Sequence, residues 1–169
     1  MTGHNTGDRG ATLDGVHGRI HSGQAFITCE FNSVAGNTTF YYVIETVSHS
    51  AHLSFDVSIS GEKQIAFLKQ ITQSVPGAIM PRHNLNDHNI NKNSHTLIYS
   101  DSTLSDEGEE WECFLIPGGS GARTPGQIGK TRAEEYVLAP NNFYAIKIDN
   151  TDNTASDFSC RMSWYEPEV

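Results

Sequence analysis

Strict alternation of apolar and polar residues governs what this chain can fold into. Leu53, Phe55, Val57 and Ile59 alternate with Ser54, Asp56 and Ser58, and Phe158, Cys160, Met162 and Trp164 alternate with Ser159, Arg161, Ser163 and Tyr165. Tyr144, Ile146 and Ile148 alternate with Lys147 and Asp149 in the same way. Side chains in a strand point to opposite faces with a period of two, so each run is a half-buried antiparallel strand with one apolar face. Ala25, Ile27, Cys29 and Phe31 set against Thr28 and Glu30 read as a further strand whose odd positions form the apolar face.

Phe40–Val47, Lys63–Thr72, Thr96–Ser100, Trp111–Ile116 and Glu135–Ala139 complete the set of strands. Turn residues separate them at Ser60-Gly61-Glu62, Gly118-Gly119, Asn141-Asn142 and Asp149 to Asn153. No window of eleven or more residues keeps a helical period. Charged residues are only 18% of the chain, while Asn, Ser, Thr and Gly are plentiful, as the turns and wet faces of a β protein require. The pattern predicts an all-β chain: an antiparallel, jelly-roll-like β-sandwich of about 8–10 strands.

The 169 residues suit one domain, expected over 16–169, preceded by a flexible arm at 1–15. Such an arm either stays loose or drapes over a neighbouring molecule. Residues 1–14 are polar and Gly-rich without an apolar stretch, so they do not read as a secretory signal. Two connections, Pro76 to Ser94 and Pro117 to Arg132, are too long for hairpins and are the expected places for interaction.

Charge and motif spacing narrow the function. With 20 acidic against 11 basic residues the net charge is −9, which argues against nucleic-acid binding. No apolar run approaches the ~20 residues of a membrane span, so no membrane partner is expected. Cys29, Cys113 and Cys160 each fall within a strand pattern, far apart and without metal-ligand spacing, and read as small buried residues of a reducing compartment.

The stretch TPGQIGKT (124–131) ends like a phosphate-binding loop but lacks its first glycine, and it joins strand to strand. The local histidine clusters, His49 with His52 and His83 with Asp87 and His88, lack the His-x-His and following Glu of a cupin metal site. Surface or hydrogen-bonded histidines are the simpler reading. The acidic run SDSTLSDEGEEWE (100–112) reads as a solvated loop tip before a strand, and no serine sits in a nucleophile elbow. No cofactor, metal or catalytic set is therefore expected, and the chain is not read as an enzyme.

Three segments point further: VHGRIHSGQAF (16–26), PRHNLNDHNINKNS (81–94), and a closing block that runs from PGGSG (117–121) through EEYVLAPNNFYAIKIDNTDNTASDFSCRMSWYE (134–166). Together they resemble the small head proteins of tailed bacteriophages, the jelly-roll cement or decoration proteins, over most of the chain from Val16 onward. That resemblance implies an accessory protein on the capsid exterior, made in the host bacterial cytoplasm. It would assemble as a homodimer or homotrimer and clamp adjacent subunits of the major capsid protein. The matching segments place the expected capsid or subunit contacts at Arg19, His21, Arg82, His83, Asn84, Asn86, Asn91 and Asn93. The alternative is a carbohydrate- or receptor-binding jelly roll on the virion surface, with Tyr41, Tyr99 and Trp111 lining a groove. A cupin-type enzyme ranks third.

Overall fold

The computed structural model of the chain describes residues 18–86, 88, 93–116, 125–129 and 135–167. The expected arm at 1–15, the Gly118-Gly119 turn and Asn91 lie outside the described residues.

Two antiparallel sheets pack face to face. The first holds β1 (Ala25–Val34), β3 (Ala51–Ser60), β7 (His83–Asn84), β11 (Pro125–Gly129), β12 (Tyr136–Leu138) and β14 (Ser156–Tyr165), in the order β11-β3-β14-β1-β7, with β12 also on β3. The second holds β2 (Thr38–Thr46), β4 (Lys63–Lys69), β6 (Ala78–Ile79), β8 (Thr96–Ser100), β10 (Glu109–Ile116) and β13 (Asn142–Asn150), in the order β10-β4-β13-β2-β8-β6. A separate ribbon pairs β5 (Thr72–Val75) with β9 (Thr103–Asp106).

Setting aside the excursion from Thr72 to Asp106, and counting β11 and β12 as one interrupted strand, the sheets become β1-β14-β3-β11/12 and β2-β13-β4-β10. Successive strands then alternate between sheets except from β4 to β10, which is the path of a jelly roll. The excursion raises the described strands above the expected 8–10. It adds β7 to one sheet edge and β8 and β6 to the other.

Where the alternation is cleanest the structure follows it. In β3, Leu53, Phe55, Val57 and Ile59 are buried and the residues between them are half-buried. In β14, Phe158, Cys160, Met162 and Trp164 point into the same core. Facing side chains of the second sheet, including Phe40, Tyr42, Ile44, Ile65, Phe67, Ile146 and Ile148, close it.

Strand β1 is turned over relative to expectation. Its register opposes Phe26 to Trp164, Thr28 to Met162, Glu30 to Cys160 and Asn32 to Phe158. Cross-strand partners share a face, so the even positions enter the core with the buried row of β14. Ala25, Ile27, Cys29 and Phe31 face outward, and Phe31 is 89% exposed. The inward Glu30 is accommodated because the Tyr42 hydroxyl donates to it at 2.9 Å and Ser100 Oγ at 2.5 Å. Phe26 secures the turned strand by stacking on Trp164 at 5.8 Å.

The cysteines divide accordingly. Cys160 is buried, whereas Cys29 and Cys113 are exposed, contrary to the reading of all three as core residues. Burial pushes the Cys160 thiol well above its usual range, followed by the charges of Glu30 and Asp56. At Cys113 the hydrogen bond with the Glu110 carboxylate, and then its charge, disfavour the thiolate. A colorimetric thiol titration of the native protein is expected to label Cys29 first, Cys113 more slowly and Cys160 only on unfolding. Equal reaction of all three would contradict this packing.

Two further expectations change. TPGQIGKT does not form a loop throughout, because Pro125–Gly129 pairs with Asp56–Ser60 of β3 as an edge strand. Proline is tolerated at the first residue of such a strand, where no ladder donor is lost. Within the acidic run, Thr103–Asp106 pairs with β5, and Glu107 accepts hydrogen bonds from Lys147 Nζ at 2.8 and 2.9 Å. The ribbon belongs to a second apolar cluster on the outer face of the second sheet, where Val43, Ala66, Leu68, Ile71 and Ala145 are buried and Leu104 of β9 packs against them. Gly77 lets the excursion pass close to β8: a Cβ there would lie 1.8 Å from the Ser100 carbonyl oxygen.

Candidate functional site

The two segments named as contact regions lie about sixty residues apart in sequence, and the fold brings them to one end of the sandwich. Residues 18–21 form a single helical turn ahead of β1, and β7 pairs antiparallel with the start of β1 through Phe26–Asn84 and Ile27–His83. Asn84 Nδ2 donates to the Gly23 carbonyl and Asn86 Nδ2 to the His21 carbonyl, both at 2.8 Å. The Leu85 amide donates to the Ala25 carbonyl at 2.9 Å. Asn84 also accepts from the Asn86 amide at 2.8 Å, a local side-chain turn that sets the direction of the chain beyond β7.

The eight candidates therefore separate by role. Asn84 and Asn86 are occupied internally, holding the middle segment against the first one. Arg82 is likewise engaged, with Nη1 donating to the carbonyls of Ser94 and Thr96 at 3.0 Å each. Arg19 Nη1 donates to Gln24 Oε1 at 2.8 Å, and its guanidinium lies 6.0 Å from the centre of the Tyr165 ring. His83 and Asn93 are exposed, and His21 sits on the outer turn, so these present side chains at the surface of this end. Asn91 lies outside the described residues.

Beside this zipped pair is a recess of about 230 Å³ on the outer face of the first sheet. Ser54 and Ser163 form part of its lining, with their hydroxyls 2.9 Å apart across β3 and β14. At one side the Tyr165 hydroxyl donates to Glu135 Oε1 at 2.8 Å, and His52 Nδ1 lies 3.0 Å from the same oxygen. The His52 and Tyr165 rings stack at 4.5 Å. Burial, reinforced by the hydrogen bond and charge of Glu135, pushes the Tyr165 phenol up to about 12, so it remains a hydrogen-bond donor at neutral pH. Arg161 joins the lining and has no ion-pair partner among the described residues.

The histidines described, His21, His49, His52, His83, His88 and His95, all lie at or beside this end. His49 stacks on His95 at 4.1 Å, whereas His52 turns to Glu135 and Tyr165, so the pair at 49 and 52 does not converge. Among the described residues no group of three or more His, Cys, Asp or Glu is placed to hold a metal ion.

The proposed aromatic groove does not form. Tyr41 and Tyr99 flank the outer cluster under the ribbon, where their hydroxyls donate to Glu107 and Glu45. Trp111 is aimed away from them by a register shift between Glu110 and Glu112, and it stacks on Phe67 at 5.7 Å against the inner core. The grouping of His52, Glu135 and Tyr165 was not visible beforehand, since they come from different strands and no local spacing marks them.

No family model and no curated protein matches the chain. Among solved structures it is similar to the VP1 protein of Trichodysplasia spinulosa-associated polyomavirus, at 12% identity over 84% of this chain and 78% of that one, with a TM-score of 0.13. The same protein in complex with GM1 oligosaccharide gives 12% identity, and in complex with 3'-sialyllactose 13%, each over 82% of this chain and 77% of that one and with a TM-score of 0.13. Likeness at that level carries no argument. The fold assignment rests on strand order and register.

Proposed function

We propose that this chain is an accessory protein of a tailed-phage head, which binds the outer capsid surface and stabilises contacts between major capsid subunits. The observation that supports this reading is the zipping of its two contact segments onto one end of a rigid jelly roll. Asn84 and Asn86 hold the segments together internally, so that the exposed His83 and Asn93 and the turn carrying Arg19 and His21 meet another surface with little ordering cost. Such a surface is polar and forms many modest contacts, and repetition over a capsid lattice multiplies them through effective concentration. Nothing in this role calls for chemistry, a cofactor or nucleic acid.

The test is the composition of purified virions. Mass spectrometry is expected to find the chain in stoichiometric, lattice-determined amounts, accessible to protease or antibody from outside. Its absence from washed virions would remove the proposal. A glycan-binding role has the recess in its favour, because hydroxyls, carboxylates and Arg161, which has no ion-pair partner among the described residues, converge there at a size suited to a sugar unit. Binding on a glycan array that disappears with Arg161→Ala would support this second reading.

A further inference from the structure

Among the described residues, the inverted strand β1 leaves a long edge without the usual protection. On its outer side β7 reaches only Phe26 and Ile27, so from Thr28 to Val34 no strand among the described residues pairs with it. Natural proteins blunt such edges with bulges, proline or exposed charge, because unpaired backbone groups recruit further strands. The long edge strand of the second sheet is treated in that way: β10 carries a register shift and three glutamates, Glu109, Glu110 and Glu112. The free part of β1, Thr-Cys-Glu-Phe-Asn-Ser-Val, has no proline, lysine or bulge. Its single charge, Glu30, is turned inward and held by Tyr42 and Ser100. The same seven residues display Phe31, more exposed than any other large apolar side chain described.

We propose that this edge pairs with the same edge of a second copy of the chain, β1 against β1 in antiparallel register about a two-fold axis through Phe31. The sequence of the edge selects both the occupant and the register. Phe31 stands at the midpoint of the free stretch, so centring the axis there uses its whole length. Phe31 then opposes Phe31, Cys29 opposes Ser33, Glu30 opposes Asn32 and Thr28 opposes Val34. Directly opposed side chains on one face interact, and an aromatic pair there is favourable. Glu30 meets an amide that can donate to it. Moving the axis by one residue sets Glu30 against itself or wastes two positions, and like charges directly opposed are destabilising. The contact is isologous and closes at two copies, joining the first sheets of both chains into one.

This pairing deepens the self-association in the proposed function but needs no capsid. Its test uses the purified full-length chain alone, so failure here leaves capsid binding standing. The strip is smaller than a standard interface, so association is weak and concentration-dependent. With −9 on each chain, added salt strengthens it by screening repulsion.

Sedimentation equilibrium is expected to show a reversible monomer–dimer equilibrium. Phe31→Lys weakens it by about tenfold or more through loss of the apolar pair, and the exposed position leaves folding intact. A Ser33→Cys variant in a Cys113→Ser background provides the register check. Opposed positions in an antiparallel pair are ~4.5–5.5 Å apart at Cα, within disulfide reach. Within one chain positions 29 and 33 are ~13 Å apart and cannot bridge. Oxidised glutathione is therefore expected to trap a covalent dimer through Cys29 and position 33. A monomer at every concentration, a dimer indifferent to Phe31→Lys, or a dimer that does not cross-link through these positions would each overturn the proposal. So would slow exchange of the Cys29, Phe31 and Ser33 amides in the dilute monomer: the Ala25 carbonyl faces β7, so these alternate residues face the same edge while the others bond β14, and protection there would mean that its own chain already covers it.

Discussion

Replacing Glu166 with alanine is expected to lower the thermal midpoint by about 6–12 °C, the equivalent of roughly 3 kcal/mol in a chain of this size. The side chain is 6% exposed, yet it is met by four donors. Ser94 Oγ donates at 2.6 Å, the Thr96 amide at 2.9 Å, the His95 amide at 3.0 Å and Trp164 Nε1 at 3.3 Å. Its own amide donates to the Gln24 carbonyl at 3.0 Å, so one residue ties the end of β14 to the starts of β1 and β8. Alanine strands the His95 amide and removes the charged acceptor from Ser94, Thr96 and Trp164, which keep only the weaker bonds through the Ser94 hydroxyl and the Thr96 carbonyl. Glutamine, similar in shape, restores one acceptor oxygen but turns an amide toward the same donors, and recovers only part of the loss.

The same site sets part of the acid sensitivity. Burial opposes ionisation of Glu166, but the hydrogen bonds from Ser94, His95 and Thr96 outweigh it and hold the carboxyl below its usual range. A carboxyl with a depressed folded pKa contributes stability above its unfolded pKa, near 4.3 for glutamate, and loses that contribution as pH falls through the folded value. Denaturant midpoints measured from neutral to strongly acid pH should therefore decline less in Glu166→Ala than in the parent, with the difference confined to the region below about pH 4.5. A parallel decline in both would show that the ionised form is not what the donors hold.

The second large effect lies at the opposite end. The Lys63 side chain is 0% exposed, and its ammonium bonds Asp152 Oδ2 and, at 3.0 Å, the Glu62 carbonyl. Asp152 also receives the Asn37 amide on its backbone oxygen at 2.8 Å, so the pair joins the β3–β4 turn to the β13–β14 connection. Asp152→Ala strands a buried cation, a change that costs about 3–5 kcal/mol for fully buried pairs. Because the Asp152 side chain is 48% exposed, we expect about 2–3 kcal/mol here. Adding Lys63→Met should recover most of that loss, since an apolar side chain of similar length needs no counter-charge. Urea denaturation of both single variants and the double variant measures the coupling, and additive losses would contradict the pairing.

Strands with one unmixed apolar row were legible in the sequence. In β3 and β14 every second side chain is a core residue, and the structure seats them so. Thr96–Ser100 was also located to the residue, but there the buried row is Thr96, Ile98 and Ser100, while Leu97 and Tyr99 are only half-buried. β1 was misread although its odd row of Ala25, Ile27, Cys29 and Phe31 is apolar, because pairing decides its facing: the register with β14 draws Phe26, Thr28, Glu30 and Asn32 inward. A signal lay in Phe26 and Val34, which share the even row and are both buried. β11 was hidden because Pro-Gly-Gln-Ile-Gly carries loop composition and takes strand form through its partner β3. At the candidate site, the contact segments were readable as stretches but their roles were not. That Asn84 and Asn86 act as internal ties follows from an approach between residues sixty positions apart. The buried state of Glu166 depends on donors supplied by residues 94 to 96, which no local pattern near the end of the chain contains.

The most direct measurement for the central claim is a cryo-electron-microscopy reconstruction of phage heads decorated with the purified chain. The account predicts jelly-roll density on the outside of the shell, oriented so that Arg19, His21, His83 and Asn93 meet the major capsid protein. Heads that show no such density at saturating protein, or chains seated on the opposite end around Asn37, Gly61 and Asp152, would contradict it.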